Sequence, residues 1–556
     1  MNQINGTLPD LSIFSSLKEL YLDGNKLNGE IPKDIKFPPQ LERLLMQSNS
    51  LKGVLTDYHF ANMSKLMSLG LSDNSLLALA FSQNWVPPFQ LSYIGLRSCK
   101  LGPVFPKWLE TQNQFEHIDI SNAGIADMVP NWFWAKLAFR EGISMNISYN
   151  NLHGIIPNIP LMNHHQSLIL GSNQFDGPIP PFLRHSLFLD LSKNKFSDFL
   201  LFLCVNGTVE TLYQLDLSNN HLSGKIPDCW SHFKSLSYLD LSHNNLSGSI
   251  PTSMGSLLDL QALLLRNNNL TNEIPFSLRS CRNLVMLDIA ENKLSGLIPA
   301  WIGSELQELQ FLSLGRNNFH GSLPLKICYL SNIQLLDLSL NNMSGQIPKC
   351  IKNFTSMTQK TSSRDYQDHS YLVNTNDFWI SQPYDLNALL MWKGSEQMFK
   401  NNVLILLNNI DFSSNHFSGE IPLEIENFSG LVSLNLSRNN LTEKIPSNIG
   451  KLTSLDFLDL SRNQLVGSIP SSLTQIDRLS VLDLSHNNLF GEIPTGTQLQ
   501  SFNASCYEDN LDLCGPPLEK LCIDGKPAEE PIVKLPEDEK MLFTHEFYIT
   551  TTIIAF

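Results

Sequence analysis

Along most of the chain, apolar and polar positions repeat in one frame. "LSYLDLSHNNLSGSIP", from Leu236 to Pro251, recurs as "LQALLLRNNNLTNEIP", "LVMLDIAENKLSGLIP", "LQFLSLGRNNFHGSLP" and "IQLLDLSLNNMSGQIP". It returns later as "LVSLNLSRNNLTEKIP", "LDFLDLSRNQLVGSIP" and "LSVLDLSHNNLFGEIP". Pro227, Pro251, Pro275, Pro299, Pro324 and Pro348 lie 24 or 25 residues apart, and Pro422, Pro446, Pro470 and Pro494 keep 24. The Leu-x-Leu core has period two, which predicts a short strand with one face buried. One such strand cannot bury that face alone, whereas stacked copies form a continuous parallel sheet and core. With weaker copies counted, about 18 units carry central apolar residues from Leu20 to Leu482. At roughly 4.8 Å between strands, they predict an inner arc on the order of 85 Å. The fold class is an α/β repeat: a curved solenoid with a parallel sheet on its concave face.

The polar letters of the frame have structural jobs. Asn220, Asn244, Asn268, Asn292, Asn317 and Asn341 stand at the bend, where a carboxamide can satisfy backbone groups of adjoining turns. Gly permits the turn that follows, and Pro fixes φ where no ladder donor is needed. The Ser, His and Asp of "LDLSHN" recur as lattice positions, so they need no catalytic reading. Cys99 replaces a bend Asn, and Cys281 reads as a small buried apolar residue.

The beat breaks once. Pro348 to Pro422 spans 74 residues against 24, so about 50 are inserted. The stretch "YQDHSYLVNTNDFWISQPYDLNALLMWKG", residues 366–394, holds six aromatic side chains. Its first part and the preceding "TSMTQKTSSR" look flexible, whereas Tyr371, Phe378, Trp379, Tyr384 and Trp392 argue against simple disorder and "LLMWKG" is strand-like. Long insertions of this kind are usually functional or disordered.

Composition narrows the function classes. The 556 residues carry a formal net charge of −15 with 16% charged residues, without the basic stripe of a nucleic-acid binder. No CxxC pair, HExxH or His-rich tract suggests a metal, and His164–His165 reads as a solvated loop. No cofactor motif is present. The absence of an HRD loop, a DFG and a Gly-rich phosphate loop excludes a kinase, and an enzyme is not expected. Twelve Asn-x-Ser/Thr sequons point to an extracytoplasmic glycoprotein. Of these, Asn62, Asn206, Asn245, Asn269, Asn342, Asn353, Asn427 and Asn440 are the predicted acceptors. Cys204 with Cys229, and Cys328 with Cys350, occupy near-equivalent places in successive units, and stacking predicts two convex-side disulfides.

The ends differ from the middle. "MNQINGTLPD" fits the second half of a unit, so the sequence reads as opening in mid-repeat without a signal peptide. After "IDGKPAEEPIVKLPEDEKMLFTHEF", acidic and Pro-containing, the last ten residues "FYITTTIIAF" turn apolar. A spanning helix needs roughly 20 such residues. The segments are therefore 1–349, repeats; 350–406, an island; 407–495, four further repeats; 496–524, a Cys-containing cap; 525–546, an acidic juxtamembrane linker; and 547–556, the start of a truncated transmembrane helix.

On the concave face, the side chains read as outward include Tyr238, Ala262, Leu264, Arg266, Met286, Asp288, Glu291, Phe311, Ser313 and Arg316. Arg266, Phe311 and Arg316 are the types that anchor interfaces.

The LxxLxLxxNxLxGxIP frame resembles the plant-specific leucine-rich repeat. An island followed by four repeats from "IDFSSNHFSG" is similar to plant receptor-like proteins, in particular the group of fungal xylanase-elicitor receptors. The resemblance implies a cap disulfide, Cys514–Cys522, with Cys506 left over as a free thiol or the partner of another cysteine. It implies plasma-membrane anchoring with the repeats outside, and a non-catalytic receptor that signals through partner co-receptor and adaptor kinases in plant defence. Tyr371, Trp379, Trp392 and Lys393 become recognition candidates, and Arg438, Phe457, Arg462 and His486 a co-receptor face. The alternatives are a secreted inhibitor of a pathogen enzyme and a truncated, non-functional relative.

Overall fold

A computed structural model describes residues 3–522 except 139–140, 160–164, 206, 210, 359–369, 376–377, 384–386, 393–394, 401–407 and 497, and between 370 and 400 it describes strand backbone. The Leu-x-Leu segments form eighteen parallel strands, from Glu19–Tyr21 to Val481–Asp483, each bonded to the strands of the neighbouring units. Register is kept to the residue: Leu239 faces Leu263, then Leu287, Leu312 and Leu336. Those leucines are at most 1% exposed, so the alternation seen in sequence becomes one continuous core running the length of the array. His165 opens one of these strands, His165–Ile169, rather than lying in a loop, because the unit there is short and pairs His165 with Ser186.

The bend asparagines form the predicted ladder. Asn292 donates through Nδ2 to the carbonyls of Leu265 at 2.9 Å, Ile289 at 3.2 Å and Ala290 at 3.0 Å. Its Oδ1 accepts from Leu270 N at 3.0 Å. At the unit that lacks the Asn, the Cys99 thiol donates to the Leu71 carbonyl at 3.2 Å. The N-x-L-x-G segments make a second set of short parallel pairings, with Gly248 and Gly345 at positive φ. Pro251, Pro275, Pro324 and Pro348 then lead into 3-10 turns on the convex side.

The sheet runs on across the insertion. Strand Leu335–Asp337 pairs directly with Asn408–Asp411, Leu336 facing Ile410. Asn415 reaches back to the Leu338 carbonyl at 2.8 Å, so the ladder is unbroken. Residues 350–358, which the spacing assigned to the island, belong to the repeat: they lie in the turns Lys349–Asn353 and Thr355–Thr358, and Met357 is fully buried. The extra residues enter only where the chain returns toward the concave strand. Within the island, Ser370–Thr375 pairs antiparallel with Phe378–Pro383, and Asn387–Trp392 with Ser395–Lys400.

Disulfides join Cys204 to Cys229 and Cys328 to Cys350, with Cα–Cα distances of 5.3 and 5.6 Å, and Cys514 to Cys522 at 5.1 Å. Cys506 is a half-buried thiol. The cap holds more of the repeat than the sequence suggested. Asn510 is a further ladder rung, donating to Leu484 O and accepting from Leu489 N, and Asp512–Cys514 extends the second set of strands.

Candidate functional site: the concave face around the insertion

The last residue of nine of the eighteen concave strands is Asp, and its job is local. Asp337 Oδ1 accepts from Ser339 N at 2.9 Å and Ser339 Oγ at 2.7 Å. Asp411 does the same for Ser413, and Asp459 for Ser461. Asn435 replaces Asp in one unit and accepts from Ser437 in the same way. Stacking then lines these carboxyls up at successive registered positions, Asp337 facing Asp411 and Asp459 facing Asp483. Burial, with Asp337 adding repulsion, pushes the Asp411 carboxyl up to about 7 against its bonds from Ser413 and Asn435. Burial likewise pushes Asp240 up to about 6, and raises Asp216 and Asp459.

Arg266 meets this column from within. Its side chain is 7% exposed, with Nε on Asp288 at 2.8 Å and Nη1 on Glu291 at 2.7 Å. Nη2 donates to Ser313 Oγ at 3.1 Å, and the Ser313 hydroxyl in turn donates to Asp337 Oδ2 at 3.0 Å. Burial opposes the charge of Arg266, but Asp288 and its neighbours outweigh that and hold the pKa above its ordinary value.

The predicted residues divide into two groups. Arg266 and Phe311, read as outward and exposed, are buried, as are Tyr238, Ala262, Leu264, Met286 and Phe457. Register contributes to this, since Met286, Phe311 and Leu335 stand side by side on neighbouring strands, and Phe311 and Tyr238 have further partners besides. Arg316, Arg438 and Arg462 are exposed, and with His486 they share one column, the left-handed residue just before each ladder Asn, all at φ 54°. His486 Nδ1 lies 2.9 Å from Asp509 Oδ2. With Glu508 these two form the one His/acid grouping among the described residues close enough to share an ion, and the direct His486–Asp509 contact accounts for it. Tyr371, Trp379 and Trp392 fall on the island strands, and their side chains, like Lys393, Asn206 and residues 525–556, lie outside the described residues. Asn62, Asn245, Asn342, Asn353, Asn427 and Asn440 are exposed and Asn269 is half-buried.

Between the two groups lies a cavity of about 400 Å³ on the concave face, lined on its strand side by Asp337, Asn409, Asp411, Asn435 and Asp459 and along its edge by Arg316 and Arg438. Sequence reasoning missed it. Two of the units that line it, those of Asp337 and Asp411, are 74 residues apart in the chain, and only the direct pairing across the insertion brings them together. The recurring Asp signalled the column but not the space above it.

Comparison with known proteins agrees with this architecture. A leucine rich repeat family model matches residues 206–246 and 429–489, and a second of the same description matches 16–37, 259–281, 283–304, 332–354 and 406–428. Receptor-like protein EIX2 of Solanum lycopersicum is 49% identical over 506 residues, 90% of this chain and 49% of that protein. Receptor-like protein EIX1 of the same plant is 47% identical, over 91% of this chain and 49% of that protein. Among solved structures, the ectodomain of the Arabidopsis receptor kinase HAESA, with an extended IDA peptide hormone, superimposes with a TM-score of 0.63 at 27% identity, covering 94% of this chain and 87% of that one. HAESA in complex with IDA and the co-receptor SERK1 gives 0.61 at 26% identity, covering 94% and 78%. No helix among the described residues is long and apolar enough to cross a membrane. The chain spans about half the length of the curated relatives it matches, and it is a leucine-rich repeat solenoid similar to the plant receptor-like proteins.

Proposed function

We propose that this chain is repeat-bearing ectodomain of a cell-surface receptor that binds an extracellular peptide or protein and, being non-catalytic, signals through partner kinases in plant defence. The observation that carries the reading is the single insertion, set between two directly paired units and opening beside a concave cavity. A solenoid without a ligand has no need of such an excursion, because the ladder and sheet are complete without it. The relatives are receptor-like proteins, and HAESA, similar in fold, binds a peptide with a co-receptor. The exposed edge of Arg438 and Arg462 lies C-terminal to the insertion and suits the partner kinase ectodomain.

Because the resemblance is to xylanase-elicitor receptors, a fungal xylanase is the first ligand to try. The full chain is immobilised and tested for binding the xylanase, then for recruiting a co-receptor ectodomain. Binding that is lost on removal of residues 358–407, and recruitment that needs both ligand and Arg438, support the receptor. Ligand binding unchanged by the deletion sinks the island's role, and inhibition of the bound xylanase with no recruitment makes the chain an inhibitor instead.

A further inference from the structure

We propose that the concave cavity is a subsite for a guanidinium group, the side chain of an arginine presented by the extracellular ligand. This rests on the reading of the concave face as ligand-binding, and three observations carry it further.

The first is Asn409. Its side chain lines the cavity and the residue is only 5% exposed, yet its carboxamide makes no hydrogen bond among the described residues. Its neighbours differ: Asn408 donates to Ser356 O and Gly430 O, and Asn435 to Asp411. The carboxamide opens onto the cavity rather than being sealed in the core, so it is available to a partner brought by the ligand.

The second is the charge on the strand side. Asp337, Asp411 and Asp459 line the cavity, and among the described residues none is ion-paired with a basic side chain. Carboxylates stacked out of water lose solvation and repel one another, and a cation placed among them offsets both costs.

The third is a precedent within the same face. Arg266 fills the equivalent place at the N-terminal wall of the cavity, bonding Asp288, Glu291 and Ser313 together. The cavity offers the same kinds of acceptor, carboxylates and serine hydroxyls, with the carboxamides of Asn409 and Asn435 added, and its own guanidinium groups belong to Arg266 at the wall and Arg316 and Arg438 at the edge. A planar fork of five donors satisfies several such acceptors together, where an ammonium is a single point charge. Arg316 and Arg438 stand on the exposed edge, where solvent screens their repulsion.

The groups that face Asp411 are Asp337 on one neighbouring strand and Asn435 on the other, Asp459 beyond it, and Arg266, Glu291, Arg316 and Arg438 around the wall and edge. Since the Asp411 carboxyl is pushed up to about 7, an arriving cation favours its ionised form and displaces a proton. Binding therefore strengthens as pH rises from 6 to 8.

The test uses the full chain and two probes, L-arginine amide and its uncharged analogue L-citrulline amide, with binding followed by ligand-observed NMR. Arginine amide is expected to bind at millimolar concentration or better, and citrulline amide about tenfold more weakly or worse. Asp411→Asn should lower arginine-amide affinity about tenfold. That variant retains the fold, since Asn435 already serves its serine in the same position. Asn409→Ala should weaken binding without altering its pH dependence. Equal binding of the two probes, an unchanged Asp411→Asn variant, or no binding by the intact chain overturns the proposal. Xylanase binding with no arginine-amide binding rejects the subsite alone, and the converse result rejects the receptor reading alone.

Discussion

A single carboxylate in each unit ties local geometry to long-range electrostatics. Asp411 is placed by its bonds to Ser413, and the stacking of units then sets it beside Asp337 and away from water. The price of the turn motif is a column of like charges, which the chain relieves with Arg266 at one level and with Leu264, Ser313 and Asn435 where Asp would otherwise recur. This has a sign that can be measured. Folding raises the pKa of Asp411 to about 7 and of Asp240 to about 6, against 3.8 in a free chain. The folded state therefore holds more protons across that window, and the stability these groups contribute is fully present below pH 3.8 and lost as pH rises through 6 to 7. Denaturant titrations should find the chain more stable at pH 5 than at pH 7.5, by on the order of 2 kcal/mol. Asp411→Asn should reduce the difference by stabilising the protein at the higher pH. A slope of the opposite sign would mean that these carboxyls stay ionised in the fold.

At the scale of the element, the convex turns set how closely units can stack. Gly303 sits in the turn Trp301–Glu305, and a Cβ there would stand 1.9 Å from the Lys326 carbonyl oxygen of the next unit's turn. Gly255 and Gly450 meet the Ser277 and Ser472 carbonyls in the same way, at 2.4 and 2.0 Å. The opposing atoms are backbone, so neither side can swing aside, and relief requires the two units to part. Gly303→Ala should cost about 1–3 kcal/mol, whereas Ser304→Ala beside it should stay within about 0.5 kcal/mol. Urea unfolding of both variants checks the difference. An unaffected Gly303→Ala protein would show that the convex side has slack, and that the concave sheet alone sets the spacing. The two convex disulfides act on the same side, each closing a loop that joins a unit to its neighbour.

For the whole molecule, what sequence reveals is what repeats. Strand positions, the ladder and the two convex disulfides follow from a period of 24 because every unit reports the same constraint. Exposure does not follow, because it depends on tertiary neighbours: Phe311 looks outward within its own strand and is buried in the fold beside Met286 and Leu335. The cavity is illegible for a related reason, since its walls are consecutive in space and separated in sequence. That separation leads to the last prediction. Pro324 precedes its central strand residue Leu336 by 12 positions, and removing residues 358–407 would join Met357 to Asn408 and leave Pro348 the same 12 before Ile410 (9 to Met357 and 3 more). The contacts needed by the joined unit already exist: Leu336 pairs with Ile410, Asn415 bonds Leu338 O, and Asn408 bonds Ser356 O. The shortened chain should therefore fold with an unchanged array, losing its capacity to bind ligand but not its stability, with a thermal midpoint within about 4 °C of the parent. Hydrogen exchange across residues 408–490 reads the outcome directly. Retained protection there means that the solenoid folds without the insertion, and loss of protection would make the island part of the fold.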